Sequence, residues 1–241
     1  STSKLALTWI KLIEQLFQVL KKLSTTSPPF QTLLNNVQAT FTNEIRIPFK
    51  LAGILVGFAN FSCEKVGGKS NARAKTVSLI QYIIGESLRY PNIYCNIANI
   101  LITFMNDWKH ALDAKHHVRA IVGPVLRECK QYWFAAALFG FCAYYIDESL
   151  PLDDAPTIEQ KLLTNLIPLL KWIQNESLVK VIRLKPLING KQISQILGIR
   201  PGPEIGVLVS KQIQLLIANP KMSKQQIVEW VKMTYAKQMN S

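Results

Sequence analysis

The sequence predicts an all-α protein, and three observations support that fold class. Apolar residues recur at spacings of three and four over most of the chain, as on one face of a helix. Prolines, glycines and capping residues separate these segments. Period-two alternation between turn signals, the pattern of a half-buried strand, is not evident. With 241 residues and 49% hydrophobic content, the chain can bury a substantial core and is too apolar to be disordered.

The first 150 residues are predicted to form a multi-helical body. Residues 5–23 make an amphipathic helix that ends before Pro28-Pro29, and residues 45–61 make a helix or helix pair around Pro48. Residues 63–76 are polar and basic and are predicted to be a loop. Further helices are predicted at 77–90, 93–112, 115–129 and 131–146. The last one is the most apolar run, but it is shorter than a membrane span of about 20 residues, so we expect a buried helix.

Residues 151–241 are predicted to form a smaller helical tail. The acidic, proline-containing stretch 148–156 reads as a linker, and Thr157 with Gln160 suggests a capping box that starts the next helix. That helix is expected to continue to about Lys171, with Pro168 as a possible kink. Residues 179–184 fit a strand or a helix end equally well. A second capping box, formed by Ser223 and Gln226, is expected to start the last helix.

A helix-hairpin-helix-like motif is the most distinctive part of the tail. Asn189 is predicted to cap a short helix with Gln192 as its capping-box partner, and Gly198 is placed to stop it. Pro203 suits the first turn of the following helix. The N–H groups at that turn, around Gly202 and beside basic side chains, would suit a phosphate. A plain packing unit of two helices explains the same pattern.

The charge of the chain is basic and unevenly distributed. The net charge is +13, and residues 171–241 contribute 11 basic and three acidic residues, a net of +8. Such an excess favours a polyanionic partner, RNA before a membrane surface, although a purely solubilising charge is the simpler alternative. The four cysteines are widely spaced, which favours a reducing compartment over a disulfide framework or a zinc site.

Motifs for catalysis are weak. Gly67–Ser70 resembles the end of a phosphate-binding loop but lacks the first glycine and the preceding strand. The adjacent His116 and His117 would point about 100° apart on a helix, so a shared metal is not expected. Asp153-Asp154 lies in a predicted exposed loop. The aromatic residues stand at helical spacing and are interpreted as core rather than as base-stacking platforms: Trp108, Trp133, Phe134, Tyr144, Tyr145, Trp172 and Trp230.

Three stretches resemble the CCA-adding tRNA nucleotidyltransferases of the bacterial and eukaryotic type (class II). The tail stretch NGKxIxxxLGIxPGPxIG is the most specific of them. It matches through Leu187, Asn189, Gly190, Ile193, Leu197, Gly198, Ile199, Gly202, Pro203, Ile205 and Gly206. The second is 117–127 with Trp133 and 135–138, which resembles an R-x-x-x-G-x-x-L-R helix pair of the eukaryotic body region. The third is 51–55 with 77–88. Together they cover about residues 45–240.

The resemblance implies that this chain is the C-terminal, tRNA-binding part of an enzyme that adds CCA to tRNA 3′ ends. That part would hold the elbow between acceptor stem and T-arm, while CTP, ATP and Mg²⁺ bind the catalytic head. The candidate RNA-binding residues are Lys185, Lys191, Arg200, Gly202, Lys221 and Lys224, with Arg119 and Arg127 second. The two arginines match the body motif, but an internal ion pair would explain them equally.

The sequence departs from the family pattern in one region. It has neither the Asp-x-Asp strand motif of the catalytic head nor the nucleotide-selecting E-D-x-x-R segment. We therefore expect no catalytic residues, no bound metal and no cofactor in this chain, with the head domain and tRNA as partners. A stand-alone, non-catalytic helical RNA-binding or scaffold module is the alternative. Either protein would be intracellular, in cytoplasm, nucleus or mitochondrion, and neither implies a membrane partner.

Overall fold

The computed structural model describes residues 2–26, 43–65, 75–151 and 154–239. Within these ranges the fold is all-α, as predicted, apart from one two-stranded hairpin. Three features named above lie outside them: Pro28-Pro29, Gly67–Ser70 and Asp153.

The α-helices within the described residues fall on either side of residues 148–154. The first group comprises α1 (Thr2–Thr26), α2 (Asn43–Leu55), α3 (Leu79–Gln81), α4 (Asn92–Thr103), α5 (Met105–Ala111), α6 (Arg119–Cys129) and α7 (Trp133–Asp147). The second comprises α8 (Ala155–Lys161), α9 (Ile167–Asn175), α10 (Gly190–Leu197), α11 (Pro203–Ala218) and α12 (Lys224–Met239). Short 3₁₀ segments lie at Val56–Phe58, Ala114–His116, Lys130–Tyr132 and Leu178–Arg183, and π-helical turns at Tyr82–Ser87 and Leu162–Leu166.

The expectation of a loop over residues 63–76 was wrong at both of its ends. Strand β1 (Ser62–Lys65) pairs antiparallel with β2 (Lys75–Ser78), with Ser62 opposite Ser78 and Lys65 opposite Lys75. Both strands are short and polar, so they lack the alternation that reveals a longer strand. Backbone pairing at long range, rather than side-chain periodicity, therefore defines them.

Two local predictions in the second half also need correction. The helix predicted to start at Thr157 begins two residues earlier, and the Thr157 hydroxyl donates to the Asp154 carboxylate instead of forming a box with Gln160. Residues 179–184 were interpreted as a strand or a helix end, but Leu178–Arg183 form a 3₁₀ helix, which we call the junction helix. The expected distortion near Pro168 takes the form of the π-helical turn that precedes α9.

A large hydrophobic cluster surrounds α7, which is apolar on every side. Phe139 is fully buried, stacks on Trp9 of α1 at a ring-centroid distance of 4.5 Å, and meets the edge of Phe49 of α2 at 5.3 Å. A Cβ on Gly140 would lie 2.5 Å from the Cβ of Trp108, so α5 and α7 approach closely there. The buried helix predicted at 131–146 is thus confirmed, and no described helix is both long and apolar enough to cross a membrane.

A second, smaller group, the tail cluster, lies near the C-terminus. Its buried members come from the segment before α10 and from α10, α11 and α12: Ile188, Ile193, Ile205, Leu208, Leu216, Ile227 and Val231. Leu184 packs against both clusters. The large cluster contains residues on both sides of position 150, for example Tyr145 and Leu169. The predicted boundary between 150 and 151 stays a prediction.

Candidate nucleic-acid interface

Helix α10 begins at a reciprocal cap. The Gln192 backbone N–H donates to Asn189 Oδ1 at 3.0 Å, and the Asn189 backbone N–H donates to Gln192 Oε1 at 2.9 Å. The predicted capping box is therefore confirmed. It satisfies two backbone donors that the start of a helix would otherwise leave open.

The end of α10 is fixed by a glycine. Gly198 has a φ of +67°, in the left-handed region, and its N–H donates to the Ser194 carbonyl. The Ile199 N–H reaches the same carbonyl at 3.2 Å, and the Ser194 hydroxyl donates to the Ile199 carbonyl. No atom lies within 4 Å of a Cβ built on Gly198, so its backbone angle alone selects glycine.

Helix α11 begins at Pro203, as predicted, but a carboxylate of the protein lies at the position near Gly202 that was expected to suit a phosphate. Pro203 occupies the first turn, and Gly202 precedes it with φ −160° and ψ 177°, an extended conformation open to any residue. A Cβ on Gly202 would lie 2.6 Å from Glu204 Oε2, so the Glu204 carboxylate already lies over this helix start. An external phosphate at these N–H groups would have to share the position with that carboxylate.

A buried glutamine holds the segment before α10 against α11. Gln212 is fully buried; its Oε1 accepts from the Ile188 N–H at 3.1 Å, and its Nε2 donates to the Ile188 carbonyl at 3.0 Å. Sequence reasoning missed this residue. The available signal was a glutamine between Leu208 and Leu216, at the four-residue spacing of the buried face of α11.

The charged candidates of the tail lie at the surface. Five side chains are exposed: Lys185, Lys191, Arg200, Lys221 and Lys224. None of them forms an ion pair with an acidic residue that the structure describes. Lys191 lies in the first turn of α10, and Arg200 lies between α10 and α11. We call residues 189–203, from the cap of α10 to the start of α11, the tail connection; it carries both cations. The arrangement offers exposed cations on a backbone that is fixed by hydrogen bonds, which suits phosphate recognition.

Arg119 is used inside the protein. Its Nε donates to the Ile217 carbonyl at 3.1 Å, and its Nη1 donates to the carbonyl and to Oε2 of Glu176, at 2.8 and 3.1 Å. These carbonyls lie at the C-terminal ends of α11 and α9, where unpaired C=O groups favour a cation. The internal-contact alternative for this arginine is what the structure shows.

Arg127, on the same helix α6, also contacts backbone carbonyls. Its Nη1 donates to the carbonyls of Val181 and Leu184 at 2.7 and 2.8 Å. Between the two arginines, Gly123 allows α6 to touch α11, because a Cβ there would lie 2.2 Å from Ile217 Cγ2. Helix α6 therefore joins the large cluster to the tail. An RNA contact by either arginine stays a prediction.

The aromatic residues lie in or against the two clusters, as interpreted from their spacing. Trp108, Phe134 and Tyr145 are buried, whereas Trp133, Tyr144 and Trp172 are partly buried against the large cluster, and Trp230 against the tail cluster. Burial raises the pKa of the Cys129 thiol to about 12 although Trp108 Nε1 donates to it at 3.4 Å. The thiol is thus protonated at neutral pH and is not a nucleophile.

The histidines line a cleft of about 510 Å³ with Asp113, Asp147 and other residues. The His117 ring stacks on Trp172 at 5.3 Å, its Nε2 is buried with no partner among the described residues, and burial lowers its pKa. Across residues 2–26, 43–65, 75–151 and 154–239, no group of three or more His, Cys, Asp or Glu residues could hold a metal ion.

Two curated proteins are similar to this chain. A tRNA nucleotidyltransferase, cca1, of Schizosaccharomyces pombe is 35% identical over 60 residues, which cover 25% of this chain and 12% of that protein. The mitochondrial CCA tRNA nucleotidyltransferase of Saccharomyces cerevisiae is 22% identical over 188 residues, 76% of this chain and 34% of that protein.

Other comparisons gave no match. No family model matches the chain. No solved structure matches it at a significant level. The chain spans about a third or less of the length of the two curated proteins, 34% and 12%. The two matches show that this chain is distantly similar to eukaryotic CCA tRNA nucleotidyltransferases.

Proposed function

We propose that this chain is the tRNA-binding helical part of a CCA-adding tRNA nucleotidyltransferase, with the fold of the C-terminal body and tail of the class II enzymes. The observation that carries the proposal is the similarity to the yeast mitochondrial CCA tRNA nucleotidyltransferase over 188 residues. That stretch covers 76% of the chain, so the similarity is far longer than the tail motif.

The charge and rigidity of the tail support the same reading. Lys185, Lys191, Arg200, Lys221 and Lys224 are exposed and have no described acidic partner. A protein that must accept every tRNA gains most from contacts to phosphates and to the shape of the elbow, because an A-form helix hides its base edges in a deep, narrow groove. Exposed cations on the tail connection suit this kind of recognition.

The chemistry of nucleotide addition belongs elsewhere in this proposal. CTP, ATP and Mg²⁺ would bind a catalytic head, and the present chain would hold the tRNA while its 3′ end reaches that head. Phosphoryl transfer with two metal ions needs converging carboxylates. The described residues do not bring such a group together. The protein would act inside the cell, in the cytoplasm, nucleus or mitochondrion.

The test is binding of a labelled tRNA transcript that lacks CCA, compared with an RNA hairpin of equal length, at low and moderate salt. We expect tighter binding to tRNA than to the hairpin, and we expect the double variant Lys191→Ala/Arg200→Ala to weaken it. The slope of the logarithm of the binding constant against the logarithm of the salt concentration should fall in magnitude by about one for each lost phosphate contact. The double variant Lys4→Ala/Lys11→Ala removes the same charge from exposed positions on α1 and is the matched control.

Two results would contradict the proposal. Equal binding to tRNA and hairpin, unaffected by the tail variant, would leave a basic helical protein and return the tail motif to a packing role. Specific tRNA binding without any stimulation of a catalytic head would favour the stand-alone RNA-binding module instead.

A further inference from the structure

We propose that Lys180 and Arg183 on the junction helix form an additional site for RNA phosphates, between the large cluster and the tail. The inference rests on the proposed function, because it extends the RNA-binding surface beyond the tail connection. Neither residue belongs to the tail motif.

The geometry of the junction helix places both cations on one side. Residues Leu178–Arg183 form a 3₁₀ helix, in which side chains three residues apart eclipse one another with a rise of about 6 Å. Leu178 and Val181 are also three apart and are buried against the large cluster. Lys180 and Arg183 are exposed, so this short helix separates an apolar side from a cationic one.

Arg127 makes the junction helix a better anion site than its sequence suggests. The last carbonyls of a helix carry partial negative charge and repel an approaching phosphate. Here Arg127 Nη1 donates to the carbonyls of Val181 and Leu184, at 2.7 and 2.8 Å, and the positive charge of the guanidinium offsets their partial negative charge. The same contacts hold the junction helix in place, so Lys180 and Arg183 project from a fixed backbone.

The surrounding sequence carries no competing acid. Residues 177–203 contain five basic side chains and no Asp or Glu. The acid just before that stretch, Glu176, is engaged by Arg119 through Oε2 at 3.1 Å. Neither Lys180 nor Arg183 forms an ion pair within the part of the chain that the structure describes. The positive potential of the junction is thus available to a polyanion.

Continuity with the tail identifies the occupant as the backbone of the same RNA. Lys185 follows the junction helix directly, and Lys191 opens α10 six residues later. The Gln212 bonds to Ile188 fix the chain between these two lysines. Four exposed cations, Lys180, Arg183, Lys185 and Lys191, thus follow one another along this stretch, a spacing that suits the repeated phosphates of a polyanion.

The experiment compares three double variants of the full chain: Lys180→Ala/Arg183→Ala, Lys191→Ala/Arg200→Ala and the control Lys4→Ala/Lys11→Ala. Each removes two exposed positive charges, and circular dichroism with thermal unfolding checks that all three fold. We expect the junction variant to weaken tRNA binding about tenfold or more at about 0.1 M salt, and to lower the salt slope by about two. The control should do neither.

The outcomes separate the two proposals. If the tail variant weakens tRNA binding and the junction variant behaves like the control, the junction site is wrong and the proposed function stands. If the junction variant alone weakens binding, the junction site holds and the assignment of the tail connection fails. If neither weakens binding, both assignments are wrong. Retention of affinity by Lys180→Arg/Arg183→Lys would confirm that charge, rather than packing, is responsible.

Discussion

The large cluster and the tail cluster are stabilised in different ways. The large cluster surrounds a helix that is apolar on every side, and the buried aromatic side chains Trp9 and Phe49 from two other helices contact Phe139. The tail cluster has seven buried hydrophobic residues, and single polar contacts, such as those of Gln212 and Asn189, fix its connections. A region with a small core depends more on each specific contact. The hydrogen bonds of Gln212 and Asn189 therefore fix the backbone that carries the exposed cations of the tail.

The largest expected effect is in the large cluster. Phe139→Ala should lower the free energy of unfolding by about 3–5 kcal/mol, because it removes a fully buried ring and leaves a cavity beside Trp9 and Phe49. Thermal or urea denaturation measures it. Leu7→Ala, at a position 61% exposed, is the control and should change stability little. A loss below about 1 kcal/mol for Phe139→Ala would mean that the core around α7 collapses to fill the space.

The second-largest loss of stability is expected in the tail cluster. Gln212→Leu keeps the side chain's size but leaves the N–H and carbonyl of Ile188 buried without their partner, which should cost about 1–3 kcal/mol. Hydrogen exchange should show faster exchange in α10 and α11 and unchanged protection in α7. Equal loss of protection in both regions would show that the two clusters unfold as one unit.

The capping box gives a smaller effect. Asn189→Ala removes the acceptor of the Gln192 N–H and should destabilise α10 by about 1 kcal/mol. Asn189→Asp retains an acceptor oxygen and is the matched control. Amide exchange at the start of α10 is the measurement, and an unchanged rate in the alanine variant would show that water replaces the cap.

A test of electrostatics in the tail rests on the proposed function. Glu204→Gln removes the carboxylate that lies over the start of α11, so RNA affinity should rise a few-fold while stability falls by about 0.3–1 kcal/mol. Glu229→Gln removes the same charge from a different helix, α12, and is the matched control. Affinity gains of equal size in both variants would mean that net charge, rather than the position beside Gly202, sets RNA binding.

The smallest effect is a pH dependence in the large cluster. Burial lowers the pKa of His117 in the folded protein, whereas the unfolded pKa is about 6.5. The stabilisation from the neutral ring is present above about pH 6.5 and is lost as the pH falls through the folded pKa. His117→Gln should flatten the fall of the unfolding free energy on the acid side. An identical acid response in wild type and His117→Gln would assign it to other groups.

Sequence patterns were most reliable where the physical cause is local. The two reciprocal caps, Asn189 with Gln192 and Ser223 with Gln226, lie within four residues of their partners and were predicted correctly. The left-handed stop at Gly198 is equally local. The box expected at Thr157 failed because Asp154 starts that helix and accepts the threonine hydroxyl itself. Where two residues can cap the same helix start, the pattern alone does not choose between them.

The sequence by itself determined the all-α class, the caps at Asn189 and Ser223, the stop at Gly198 and the excess of positive charge in the tail. Only the tertiary structure decided what each cation does. Arg119 contacts carbonyls 57 and 98 residues away, so its charge is used inside the protein. Lys191 and Arg200 have no such partners within the described chain and remain at the surface. Helix periodicity and capping act over a few residues, whereas the partner of a charge depends on which distant backbone groups the fold brings near it.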